Sequence, residues 1–315
     1  MNIRILKRYL PLLANLAAGF IFGFTMLFVK RGMRVVEFDS VKFLAFRYMT
    51  GFLVMTLLLA AGFQKVNYKG KPVHLLLFCG MLNPLTSQVL ETTATIYAPT
   101  SQIGVFYSLF PALIVILSIP INRELPTRRQ VFFMIISVSG ILLTNIVGGQ
   151  MKGGTRLGLI LVLTATFVIS IQRVFIRRAS ASFTPFETIY AATGMGAIGF
   201  GTTTLLSHLV RGRLGSFFHG LWTPDFVIPV LYMGILSCVV AFLCLTYAAG
   251  RLPIAVSSST SLLNSVVVVL AGIFILSEAF RPIDVIGTII TFLGILGMSL
   301  SYNASKSNRF TTAKP

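Results

Sequence analysis

The sequence predicts an all-α integral membrane protein of ten transmembrane helices, arranged as two inverted five-helix repeats. Three observations carry that expectation. Hydrophobic residues make up 55% of the 315 positions and charged residues only 11%, with mean hydropathy +0.87, whereas soluble chains carry about 25% charged residues. Apolar runs of roughly 18 or more residues recur from end to end, each long enough to cross ~30 Å of hydrocarbon as a helix. The chain also returns to one unit: Pro99 and Pro253, Leu109 and Leu263, Glu124 and Glu278, and the blocks Gly140-Ile141-Leu142 and Gly294-Ile295-Leu296 all lie 154 residues apart. Matches between Ile and Leu come easily in so apolar a chain. A Pro, a Glu and a Gly holding one offset without a gap mark an internal repeat.

Taken in order, Arg4, Lys7 and Arg8 precede an apolar run over 10–29. That pattern is similar to a signal peptide, but the run is too long and nine more follow, so it is read as a retained first helix. The remaining spans fall near 41–62, 73–97, 101–122, 129–147, 156–175, 185–208, 225–248, 255–277 and 283–302. Connecting loops are short, and the longest, 209–224, leaves no room for a soluble domain. The first repeat therefore occupies 1–150 and the second 151–302, with a polar tail over 303–315. Five helices is an odd number, so the second repeat enters the membrane from the opposite side to the first. Inverted repeats of this kind are a transporter architecture.

Basic residues set the orientation. With the N-terminus in the cytoplasm, sixteen of the 26 Lys and Arg residues fall on the inner side and nine on the outer, with Arg47 left in the membrane. This bias places both termini in the cytoplasm and the protein in an inner or plasma membrane. Lys30, Arg31, Arg34 and Lys42 in the first outer loop run against the bias, and Glu37 and Asp39 offset them only in part. The net charge of +18 is spread between spans, which fits anionic lipid headgroups and argues against nucleic acid. Cys79, Cys238 and Cys244 all sit inside spans at spacings that match no metal or redox motif, and are read as small apolar packing residues.

The repeated Pro-(x)24-Glu-(x)15-Gly pattern, together with GFIFGFTMLFVK in the first helix and FRYMTG in the second, resembles the drug/metabolite transporter superfamily and specifically its EamA-type ten-helix members. The resemblance covers nearly the whole chain. It implies a small-molecule carrier whose central cavity is built from helices one to four and six to nine, with the fifth and tenth helices peripheral. One departure is plain: Asn264-Ser265 stand where the first copy has Phe110-Pro111.

A charged side chain at the centre of a membrane helix costs roughly 2.5–3.5 kcal/mol, so each one needs a reason. Among eight acidic residues, Glu91 alone lies well within a span. Arg47 and Glu91 each stand six residues from the same predicted membrane face, about 9 Å deep at 1.5 Å per residue. Gln88 lies one turn deeper than Glu91, and Tyr107 is six residues from the outer end of the fourth helix. Two readings stay open for this cluster. The pair either neutralises itself and joins two helices, or lines the cavity and grips a carboxylate and an ammonium, with Glu91 able to pass a coupling proton. Asn264 and the run Ser257-Ser258-Ser259-Thr260-Ser261 give the ninth helix a polar face, suited to lining the cavity or to bonding neighbouring helices. Pro84 and Pro111 are candidate kinks or hinges.

The function this predicts is alternating-access transport of a small amino-acid-like or other polar, zwitterionic metabolite. Export of hydrophobic drugs or organic cations is the second reading, and a non-transporting assembly subunit the third. An enzyme is not expected: His74, His208 and His219 lie apart at span ends or in loops, and neither a catalytic nor a metal motif appears. The implied partners are a small-molecule solute, membrane lipids and a coupling proton or exchange solute, without cofactor or nucleic acid. The chain would act as a monomer or homodimer. The inverted repeat has a direct test: single cysteines at positions 124 and 278 should be labelled by a membrane-impermeant maleimide from opposite sides, and labelling from one side ends the reading.

Overall fold

The computed structural model describes residues 3–107, 109–122, 128–143, 155–212, 222–252, 260–277, 282–283, 285–294 and 296–297. Among these every regular element is helical. Helix α1 spans Ile3–Val35, α2 Ser40–Ala60 and α3 Val73–Tyr97. The fourth predicted span is two pieces, α4 (Thr100–Tyr107) and α5 (Phe110–Asn122). Then follow α6 (Arg128–Leu142), α7 (Arg156–Ala179), α8 (Pro185–Val210), α9 (Pro224–Ala249), α10 (Thr260–Phe274) and α11 (Val285–Gly294). Five of them (α1 from Leu10, α2, α3, α7 and α9) are long and apolar enough to cross a membrane. Glu124, Glu278, Ser257–Ser259 and the tail lie outside the described residues.

The boundaries correct the sequence reading in three places. Helix α1 continues to Val35, so Lys30, Arg31 and Arg34 ride its last turns and do not belong to a loop. Helix α7 runs to Ala179, four residues beyond its predicted end. Pro111 is not midway along a helix but the second residue of α5, where the missing N–H costs no internal hydrogen bond.

Two helices depart from regular geometry at matched positions. In α3 the helix is kinked within Met81–Thr86, where Asn83 takes an extended, non-helical φ of −145° and ψ of 113°. Pro84 cannot donate to the ladder, and the Thr86 hydroxyl donates to the carbonyl of Met81 at 2.9 Å. In α9 the wide stretch is Tyr232–Ala241, and shifting Met81–Thr86 by the 154-residue offset lands inside it.

The two sequence halves pack through each other. Helix α2 lies on α8 and α9, α3 on α7 and α8, and α10 on α1 and α4. Glycines set the closest approaches. A Cβ on Gly140 would run into the backbone of Gly287 and Thr291, and one on Gly294 into the backbone of Phe133 and Ser137. These contacts are equivalent: residues 133, 137 and 140 become 287, 291 and 294 under the same offset, and the contacts run in opposite directions along α6 and α11. Likewise Gly80 is closed by Met195, and Gly234 by Thr50. Both helices keep broad apolar outer faces, including Phe132 and Ile135 on α6 and Ile286, Ile289 and Leu293 on α11.

At one end of the bundle the loop after α2 is tied to the start of α8. Thr184 and Glu187 form a capping box, each satisfying a backbone N–H that the helix start leaves open. The buried Glu187 carboxylate also accepts both from Lys71 Nζ, at 2.8 and 2.7 Å, and from the Asn67 N–H at 2.9 Å. Tyr68 donates its hydroxyl to the Glu187 carbonyl, and burial pushes the phenol of this loop residue up to about 12. The glycine seam offers a stability test. Gly294→Leu should destabilise the detergent-solubilised protein by ~1–3 kcal/mol through overpacking. Gly250→Ala, whose added Cβ would find its nearest neighbour 3.7 Å away, should leave thermal unfolding nearly unchanged.

Candidate functional site

A buried guanidinium needs acceptors, and the sequence supplies them from two other helices. Arg47 stands in the second turn of α2 at 3% exposure. Its Nη1 donates to Gln88 Oε1 at 2.6 Å, its Nε to Cys238 Sγ at 3.2 Å, and its Nη2 to Ser237 Oγ at 3.4 Å. The guanidinium also lies 5.3 Å from the centre of the Tyr48 ring, at the range of a cation–π contact. Gln88 then donates from Nε2 to Glu91 Oε2 at 2.8 Å, and the Tyr107 hydroxyl donates to Glu91 Oε1. The residues predicted from depth alone thus form one hydrogen-bonded chain, Arg47–Gln88–Glu91–Tyr107. The sequence reading placed the two charges at one depth on neighbouring helices, and the amide of Gln88 links them.

This chain lines a cavity of about 90 Å3. Asn264 of α10 lies on the same wall set, and so do Thr25, Asn83, Ser237 and Thr246. Apolar cover comes from Phe22, Phe110, Ile114, Ile169 and Leu245. A smaller pocket of about 20 Å3 shares Asn83, Gln172, Ile176 and Phe242 with it and is floored by Cys79, Gly80 and Pro84. Of the predicted hinges, Pro84 therefore borders this side pocket. The main cavity runs to Arg177 and Ala249, at the C-terminal ends of α7 and α9. Towards the other end of the bundle the same helices are shut. There Phe28 stacks on Tyr232 at 3.9 Å, Phe46 and Phe43 meet the edge of Phe226 at 5.5 and 6.3 Å, and Arg31 Nε bonds Asp225 at 2.7 Å.

Sequence reasoning missed Arg173 and Arg177. Both entered the orientation count as inner-side charges, yet both line the cavity. Arg173 stacks over Phe110 at 5.2 Å from the ring centre. It stands six residues from the observed end of α7, the same distance that singled out Arg47, so the true helix end would have revealed it. Cys238 packs in an apolar cluster with Leu44, Tyr48 and Phe200, and it also accepts from Arg47. Among the described residues no group of three His, Cys, Asp or Glu side chains comes together as a metal site would require.

Chemically, the cavity offers fixed charges of both signs, neutral amide and hydroxyl groups, and an apolar lining, the mixture expected of a site for a small polar solute. A model of the EamA-like transporter family matches residues 10–146 and again 156–300. The uncharacterized transporter YcxC of Bacillus subtilis (strain 168) is 24% identical over 291 residues, covering 92% of each chain. A probable terminal-alkyne amino-acid exporter of Streptantibioticus cattleyicolor is 24% identical over 249 residues, covering 78% of this chain and 79% of its own. One crystal structure superposes with TM-score 0.61 at 16% identity over 91% of this chain and 96% of the other, a likeness of fold alone.

The relay makes a stability prediction. Removing one charge strands the other in the bundle, so Arg47→Met and Glu91→Leu should each cost up to ~3–5 kcal/mol. The double variant should recover most of that loss, measured as the midpoint of thermal unfolding in detergent. Additive losses would show that the two residues do not interact.

Proposed function

The chain belongs to the EamA-like transporter family and is a multi-pass integral membrane transporter; from that premise we propose that it is a secondary carrier which moves a small amino-acid-like or other zwitterionic solute by alternating access. The observation that carries this reading is the cavity itself. It presents a guanidinium and a carboxylate, reaches one end of the bundle, and is blocked towards the other by stacked aromatics and the Arg31–Asp225 pair. A site reachable from one side at a time is what alternating access requires.

The inverted-repeat architecture is part of the proposal. It is supported by the equivalent contacts of α6 and α11, in which Gly140 meets residues 287 and 291 while Gly294 meets 133 and 137. An exchange of equivalent partners along antiparallel helices is what a two-fold axis in the membrane plane produces. The irregular segments of α3 and α9 at matched positions and the two family matches on either side of residue 150 support it further. In this reading both termini are cytoplasmic and the cavity opens inward. Arg47, Gln88, Glu91, Tyr107 and Asn264 contact the solute, and Glu91 is the group through which a coupling proton would pass.

The amino-acid class draws support from the exporter relative and from the two charges of opposite sign. The test is counterflow in proteoliposomes with solutes first found by a thermal-stability screen against a metabolite library. Arg47→Met with Glu91→Leu removes both charges while roughly keeping volume. The double variant should reconstitute as a folded protein whose exchange rate falls by about tenfold or more, a loss of charge-assisted hydrogen bonds. Exchange at the unmodified rate would reduce the pair to a structural tie and shift the site towards Asn264.

A further inference from the structure

We infer that the solute is an acidic amino acid, with more carboxylates than ammonium groups, and that Arg177 and Asn264 form the part of the site that reads its polar end. This rests on the carrier reading above and goes beyond it in naming the charge class and two gripping atoms. The Arg47 relay is satisfied from within: its guanidinium has Gln88, Cys238 and Ser237, and Glu91 has Gln88 and Tyr107. On the same cavity two buried polar atoms find no hydrogen-bond partner among the described residues, Arg177 Nη1 and Asn264 Oδ1. One is a donor that carries positive charge; the other is an acceptor on a side chain only 7% exposed.

Buried polar atoms without a partner are uncommon in folded proteins, and a ligand that completes them explains them. A carboxylate on Arg177 and an ammonium or N–H on Asn264 would satisfy both. The charge of the walls then narrows the class. Among the described residues three arginines line the cavity, Arg47, Arg173 and Arg177, against a single carboxylate, Glu91. Arg173 and Arg177 stand four apart on α7, one turn above each other, a spacing at which like charges oppose folding. An organic cation would add to that excess and a neutral zwitterion would leave it in place. A solute with two carboxylates and one ammonium offsets it.

The experiment compares isosteric probes. Purified protein in proteoliposomes is loaded with unlabelled L-glutamate, L-glutamine or L-lysine, and counterflow of the labelled form is measured. The expected result is exchange of L-glutamate at least about tenfold faster than of L-glutamine, with L-lysine slowest, as loss of one charge-assisted hydrogen bond implies. Arg177→Gln should abolish the preference for glutamate over glutamine, Arg177→Lys should keep part of it, and Asn264→Leu should slow both. Equal or faster exchange of glutamine or lysine overturns the acidic class while the carrier reading stands. An unchanged glutamate-to-glutamine ratio in Arg177→Gln overturns the role of Arg177, and where that variant fails to fold the ratio in Arg177→Lys decides. If none of the three amino acids is exchanged by protein that exchanges a solute from the library screen, the inference is wrong and the carrier reading survives. If nothing is exchanged at all, both fall.

Discussion

A guanidinium and a carboxylate lie in an apolar bundle, and keeping them there without water constrains the rest of the structure. Neither ion is tolerable without partners, so helices must arrive at set heights and angles to supply them. Helix α2 brings Arg47, α3 brings Gln88 and Glu91, α4 brings Tyr107, and α9 brings Ser237 and Cys238. Those four helices come from both halves of the chain. The relay is therefore a polar tie across the interface between the halves, as well as a wall of the cavity.

The irregular segments serve that tie. A wide turn rotates everything beyond it, and such turns gather at functional sites. Ser237 and Cys238 both sit inside the wide stretch of α9, and in α3 the kink comes immediately before the segment that carries Gln88 and Glu91. Close packing of the remaining surface follows from small residues. Gly51 lies against Gly234 and Cys238, and Gly194 and Gly196 receive the rings of Phe52 and Tyr48, which lets α2 settle onto α8 and α9 near Arg47.

How much of this was readable in the sequence follows from the physics of each signal. Five of the spans, those of α1, α2, α3, α7 and α9, were legible because apolar length is dictated by hydrocarbon thickness. Arg47 and Glu91 were legible because a lone charge in an apolar run is costly. Their connection through Gln88 was not, since depth along a helix says nothing about which way a side chain turns. Arg173 and Arg177 were hidden by a span end placed four residues early, at the point where basic residues are ordinarily headgroup ligands. The kink of α3 was announced by Asn83-Pro84, whereas the wide stretch of α9 has no proline within it. The packing of Cys238 was legible from its apolar run, but its second role as an acceptor was not, because only a neighbouring guanidinium creates it.

The seam between α6 and α11 carries a different kind of information. Residue 140 meets residues 287 and 291, and residue 294 meets their counterparts 133 and 137, while the Thr291 hydroxyl lies 3.4 Å from the carbonyl of its own counterpart, Ser137. A surface that is its own partner is an isologous surface, the kind by which two identical subunits form a closed pair. Here the two faces differ in sequence, but each keeps its glycine contact with the other. A change at one such position alters a contact whose twin sits untouched on the other side, so the seam can drift only in small steps. Joining the two faces in one polypeptide gives them a high effective concentration for each other, and that linkage lets the copies diverge in the cavity without parting at the edge.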